Sequence, residues 1–336
     1  MQLAQQRPQA AATIVPAIRL ALLCQLVIFR CLSASEEMRD PLLQPFNRHS
    51  HWNMPIGTDA VYVHAQLKAS QQYGLFAEEE HIILTPSAPL TKIFTSTADW
   101  KTNADRGYAD GPLITELPIP RHYITEPRLG ATPNAVATIL QPDGMTLYHT
   151  QPFDRQSPGR PATSHYTFPT TDIYGDGLGG GHGGSQLSGI GGTIRLGQLV
   201  PGGRIPHTLK IVMNNKWLAY RNDSSPGYRW PALVADNYAT TWTYKGQVPD
   251  LEMGALLALI PEFSIEQLQT EPGRILAQAL QDYGAYLCDA AGWDAYYFGP
   301  PEQPRSGADH LMASATRTVE IAGPSIDANE LQSVSG

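Results

Sequence analysis

Cysteine is nearly absent from this chain: three occur in 336 residues, Cys24, Cys31 and Cys288. The first two lie in an apolar stretch over residues 11–34. It has Arg7 before it, an apolar centre at Leu20–Phe29 and small residues at Ser33-Ala34-Ser35, and so reads as a secretory signal peptide over residues 1–34. Its removal leaves Cys288 alone, which excludes an intrachain disulfide and makes core burial responsible for stability. In Tyr-Leu-Cys-Asp, Cys288 reads as a small buried apolar residue and not as a nucleophile.

Charge is scarce as well. Charged residues are 16% of the chain, and Asp and Glu outnumber Lys and Arg by 31 to 23. Loss of Arg7, Arg19 and Arg30 with the leader, and of no acid, takes the formal charge from −8 to −11. An acidic chain lacks the lysines and arginines that supply affinity for nucleic acid or anionic membranes, so neither is expected as a partner. Arg19 interrupts the leader's apolar run, leaving it too short to span a bilayer comfortably. No stable membrane insertion is expected after signal cleavage, and the mature chain is expected to be secreted or periplasmic. Two catalytic motifs are missing too. No Gly-x-Ser-x-Gly elbow is present, and the glycine-rich run lacks the Gly-Lys-Ser/Thr end of a phosphate loop.

Glycine (30) and proline (28), by contrast, are abundant, as a turn-rich β protein requires. Short apolar runs such as HIILT, KIFT, LITELPIP and HYIT are separated by Pro, Asp, Asn and Gly, the spacing of a sandwich or barrel. Ala135–Leu140 and Thr146–Thr150 flank Gln-Pro-Asp-Gly, a hairpin signal. Thr193–Leu199 and Ile205–Met213 read as strands, the second with His207, Leu209 and Ile211 on one face and Lys210 on the other. Glu78-Glu79-Glu80 reads as a solvated charge run. Thr270 caps a helix that Glu271 and Pro272 open and Gly284 ends, with Ile275, Leu276, Ala279, Leu280 and Tyr283 on its apolar face. The expected fold is mainly β: a single-domain jelly-roll-type β-sandwich over residues 35–300 with one C-terminal packed helix. An irregular segment follows over residues 301–336. Asn222-Asp-Ser224 is a lone glycosylation sequon.

The chain turns on residues 170–199, where Asp172 and Asp176 precede a run dense in glycine whose one titratable side chain is His182. So much glycine is entropically costly, which points to a sharp turn or a close approach, and hence to a site. Two acids four apart fit the acid and carboxylate of a glycoside hydrolase, with Asp236 as another partner for either. The same acids fit two ligands of a structural calcium site, although the closing Glu of a calcium loop is absent. They also fit simple turn caps. His182 suits a proton relay or the base of a β-eliminating lyase, with Arg195, Lys210 or Arg229 on a uronate and Tyr228 or Tyr174 as donor. His207 is a further substrate contact. Tyr228, Trp230, Tyr238, Trp242 and Tyr244 make either a sugar-stacking platform or core packing.

The ordered set Trp52-x-x-Pro-Ile56, Gly192-x-Ile-Arg-x-x-x-Leu199, Ile205-x-His-x-Leu209, Tyr228-x-Trp-Pro-Ala232 and Leu280-x-x-Tyr-Gly284 resembles a family of exported bacterial proteins of unassigned activity. The resemblance spans most of the chain after the leader and implies no catalytic residues. The expected function is a secreted enzyme cleaving a polysaccharide, with hydrolysis ahead of elimination. Asp172, Asp176 and His182 would be catalytic, with no cofactor required. The alternative is a non-catalytic carbohydrate-binding or cell-envelope protein.

Overall fold

Thr270 opens the one α-helix among the described residues: its hydroxyl accepts a hydrogen bond from the Gly273 amide and Pro272 lies in the first turn. The helix, α1, runs from Glu271 to Asp282 and buries Leu276, Ala277, Ala279 and Leu280. Gly284, with φ of 74°, reverses the chain into a strand, as glycine alone does without strain.

The computed structural model describes residues 40–71, 75–77, 80–98, 105–125, 134–221, 226–299 and 331–335. The leader at 1–34, the sequon at Asn222 and the segment 301–330 lie outside these residues. The chain divides into two units, Met1–Gln44 and Pro45–Gly336. Of the first, residues 40–44 are described, as a turn closed by the Leu43 and Gln44 amides on the Asp40 carbonyl.

The second unit is mainly β. Its strands are β1 (Val61–His64), β2 (Leu75–Ala77), β3 (Glu80–Ile83), β4 (Leu90–Thr95), β5 (Leu113–Pro118), β6 (Val136–Leu140), β7 (Thr146–Asp154), β8 (Ala162–Asp172), β9 (Leu209–Asn214), β10 (Leu256–Leu259), β11 (Ala285–Ala291), β12 (Tyr296–Phe298) and β13 (Leu331–Ser335). They form two mixed sheets, in the orders β1-β13-β10-β11-β9-β12-β2 and β3-β6-β7-β8-β4-β5. The strand β13 lies within the C-terminal segment expected to be irregular. No helix among the described residues is long and apolar enough to cross a membrane.

The expected hairpin is present: β6 and β7 pair antiparallel, and Asp143 accepts hydrogen bonds from the Met145 and Thr146 amides in the turn. Two apolar cores divide the work. Leu209, Ile211 and Met213 of β9 pack with Leu257, Leu276, Leu280 and Leu287 under α1, while Ile83, Ile93, Leu117, Ile139 and Phe153 fill the second sheet. Each fully buried Leu or Ile contributes about 1.5–3 kcal/mol. The other face of β9 is buried too, which leaves Lys210 1% exposed.

Two elements differ from expectation. Thr193–Leu199 forms turns, because the Arg195 side chain folds back to donate to the Ile190 carbonyl and to Thr193. The strand expected from Ile205 begins at Leu209. The Thr208 amide before it bonds instead to the Trp52 carbonyl, at 2.8 Å, and fastens residues 51 and 52 to the start of β9.

The glycine-rich segment runs between the two sheets. A Cβ on Gly181 would come 2.4 Å from a Val136 methyl, and one on Gly189 would come 2.4 Å from the Thr138 hydroxyl, both on β6. On the other side, a Cβ on Gly192 would come 2.7 Å from the Lys210 amide of β9. Real Cβ atoms do not approach so closely, so the segment fits because side chains are missing from it.

Candidate functional site

Three titratable side chains meet where this segment passes between the sheets. β3 supplies Glu80, the segment supplies His182 and β9 supplies Lys210. Glu80 Oε1 lies 2.8 Å from His182 Nε2 and 2.5 Å from Lys210 Nζ, with the Glu80 side chain wholly buried. Both cations reach the same carboxylate within hydrogen-bond distance. Lys210 Nζ also donates to the Gly189 carbonyl at 2.6 Å. Burial disfavours a charged Glu80, but Lys210 and His182 outweigh it and hold the carboxyl below its usual range. Burial and Lys210 likewise disfavour a charged His182, yet its contacts with Asp289 and Glu80 raise it above the usual imidazole value.

His182 connects this buried cluster to a more open pair of acids. Its Nδ1 lies 3.7 Å from Asp289 Oδ2, and the Asp289 side chain is 23% exposed. Asp289 follows the register shift at Leu287 in the β11–β9 ladder. Asp236 also approaches Gly184. A Cβ there would lie 2.4 Å from Asp289 Oδ1 and 3.1 Å from Asp236 Oδ1, so the two oxygens can be no further apart than the sum, 5.5 Å. Tyr244, almost fully buried, donates to Asp236 Oδ2 at 2.5 Å, and its ring meets Tyr238 edge-on. Burial first, and then the charge of Asp289, push Asp236 up to about 7. Trp242, in the same loop, is 83% exposed. Asp236 therefore holds a proton near neutrality beside a second carboxylate, the pairing that acid–base catalysis uses.

The other expected site residues are distributed differently. Asp172 and Asp176 are exposed, and each accepts from the amide two residues on, Tyr174 at 2.8 Å and Leu178 at 3.0 Å, as turn aspartates do. Neither is among the ion contacts of His182, which go to Glu80 and Asp289. Arg195 is buried and ties its own turn. His207 is buried between the Thr208 carbonyl, 3.0 Å from Nδ1, and the Gln198 amide, 3.2 Å from Nε2, and burial lowers it to about 4. Tyr228 is half-buried in a bridge to Met253, and Arg229 faces Asp250 at 3.5 Å. Trp230 is exposed, but it stands against His51, not Asp236.

Sequence reasoning missed Glu80 and Asp289 and read Tyr238 and Tyr244 as a stacking platform or core packing, not as partners of Asp236. The Glu-Glu-Glu run disguised Glu80; the β-branched Ile82 and Ile83 after it were the available signal that the run enters a strand. Nothing local marks Asp289, which acquires its role by proximity to Asp236. Among the described residues no group of three or more His, Cys, Asp or Glu is arranged to hold a metal ion. Cys288, beside Asp289, is fully buried. No family model, no curated protein and no solved structure matches this chain.

Proposed function

We propose that the chain is a secreted carbohydrate-active enzyme that hydrolyses glycosidic bonds. Asp236 acts as general acid and Asp289 as the partner carboxylate, the roles the sequence alone suggested for Asp176 and Asp172. The observation that carries this reading is the pair itself: two acids within 5.5 Å across a glycine, one of them held protonated to about 7. Retaining glycosidases keep their carboxyl groups about 5–5.5 Å apart and inverting ones about 6.5–9.5 Å. An upper bound of 5.5 Å between the two Oδ1 atoms falls short of the wider range, and retention is the course proposed. Asp236 gives its proton to the leaving oxygen while the Asp289 carboxylate, 3.7 Å from His182 Nδ1, attacks the anomeric carbon. Water then resolves the glycosyl intermediate, with Asp236 taking back a proton. The exposed Trp242 and the Tyr238 ring offer flat faces to a pyranose. Burial of His182 between Glu80 and Asp289 removes it from direct contact with substrate, which supports hydrolysis over elimination.

The jelly-roll arrangement of the two sheets and export by the leader belong to the same proposal. The test is incubation of the mature chain with a panel of polysaccharides, reading reducing ends and the anomer first released. Asp236→Asn and Asp289→Asn are each expected to lower turnover at least about 100-fold. Cleavage unchanged by both substitutions would refute the assignment. Binding without cleavage would turn the reading to a carbohydrate-binding protein.

A further inference from the structure

A groove of about 340 Å³ opens on another part of the second unit, between the arm at residues 49–57, the turn at Asp176 and the exposed indole of Trp230. We infer that it is a second carbohydrate site, one that holds a single uncharged pyranose unit apart from the Asp236–Asp289 pair. This extends the proposed function, since it takes the ligand to be a saccharide, but its residues form no part of the proposed catalytic machinery.

Four observations support the inference. The first is that the site is built and held. The Trp52 indole donates to the Gly177 carbonyl at 3.1 Å, and the Phe46 and Asn47 amides bond to Ile173 and Gly175. The arm is thereby fixed to the turn that carries Asp176. Gly177 leaves room for the Trp52 and Phe46 rings, which a Cβ would meet at 2.7 and 2.8 Å. At the other end the Thr208 hydroxyl bonds to the His51 carbonyl at 3.0 Å, and the Ile56 amide bonds to Asp282 at 2.8 Å.

The second observation is an unsatisfied group. His51 is 7% exposed and lines the groove, and its Nε2 has no hydrogen-bond partner. Burial lowers this imidazole to about 4, so it is neutral and offers one donor or one acceptor to a hydroxyl. A buried polar atom left unpaired is costly, and a bound hydroxyl would relieve that cost.

The third is shape. Trp230 is 63% exposed and stands edge-on to His51 with ring centroids 5.3 Å apart, and Tyr286 meets the same imidazole edge-on, also at 5.3 Å. With Met54 and Leu178 they give an apolar wall beside three polar groups, His49, His51 and Asp176. A pyranose has the matching surface, one face of C–H groups and a rim of hydroxyls. The volume is at the lower end of the range for small-ligand sites, which suits one ring and not a long chain.

The fourth is charge. No lysine or arginine lines the groove, and Asp176 presents a carboxylate there. That carboxylate accepts from sugar hydroxyls and repels a uronate.

The test is titration of the full mature chain with methyl glucoside, N-acetylglucosamine and glucuronate, followed by tryptophan fluorescence and saturation-transfer NMR. Saturable binding of an uncharged sugar, weakened about tenfold or more by Trp230→Ala and by Asp176→Asn, is the expected result. Trp230→Ala removes an exposed side chain, and an unchanged melting temperature certifies its fold. Asp236→Asn should bind as the parent does. Binding that survives both groove substitutions, glucuronate bound as tightly as the neutral sugars, or no saturation with any of them would overturn the inference. Loss of cleavage in Asp236→Asn with groove binding intact supports both sites. Cleavage that persists in Asp236→Asn and Asp289→Asn refutes the catalytic pair alone.

Discussion

Gly144 and Gly192 have nearly the same φ, 70° and 72°, yet stand in opposite surroundings. A Cβ on Gly144 would meet nothing within 4 Å, whereas one on Gly192 would press on the backbone of Leu209 and Lys210. Alanine at either position carries the same left-handed penalty, about 1–2 kcal/mol. The difference between the two variants is therefore packing alone. Gly192→Ala is expected to be about 1–3 kcal/mol less stable than Gly144→Ala, read by urea unfolding. Equal losses would mean that the glycine segment has slack between the sheets. At this scale the sequence marked the costly glycines, and the structure supplies the reason. Gly181, Gly189 and Gly192 face β6 and β9, so much of the run is filled by its own neighbours, and Gly184 alone opens onto the pair of acids.

Between elements, the Glu80–His182–Lys210 cluster joins β3 of one sheet to β9 of the other through the segment between them. A buried ion pair adds little over well-packed apolar residues, but removing one partner strands the other charge. Glu80→Gln is expected to cost about 3–5 kcal/mol by leaving Lys210 without its carboxylate and His182 with Asp289 alone. The double substitution Glu80→Leu with Lys210→Met should cost less than Glu80→Gln alone, and denaturant unfolding of both tests this. A Glu80→Gln variant as stable as the parent would show that the cluster is not ionised. The helix α1, by contrast, was fully legible: Thr270, Pro272, the apolar stripe and Gly284 are local signals, and local hydrogen bonds honour them. Thr193–Leu199 has an equally strand-like sequence, yet the Arg195 side chain satisfies the Ile190 carbonyl and turns the chain.

For the molecule as a whole, opposed sets of groups give stability a maximum in pH. His51, His149 and His207 are buried and lowered to about 4, 3 and 4. Below about 6.5 the unfolded chain protonates them and the folded one resists, so their contribution is lost as pH falls. Asp236 and Asp154 are raised, to about 7 and 6, so the folded state holds protons that the unfolded state releases above about 4, and their effect runs the other way. Three histidines against two acids leave stability rising with pH from about 4 to about 6. Above about 6.5 the histidine contribution is complete and no longer changes with pH. The raised His182 and the still-titrating Asp236 then lower stability as pH increases. The melting temperature is therefore expected to peak near pH 6 to 6.5. A curve that falls steadily from pH 4 to 6 would contradict this balance. Turnover has its own limb: with Asp236 as the acid, activity should fall as pH rises through about 7.

What the sequence determined by itself is what neighbouring residues decide: a mainly β chain, the β6–β7 turn, one capped helix and a buried Cys288. Tertiary structure alone decided which acids meet. Glu80, His182, Lys210, Asp236 and Asp289 are separated by tens of residues, and the spacing of any two along the chain carries no signal of contact. Their assembly depends on two sheets closing over a backbone bare enough to let charged groups touch through it. That same closure sets the proton on Asp236, because burial and a neighbouring carboxylate are properties of place and not of residue type.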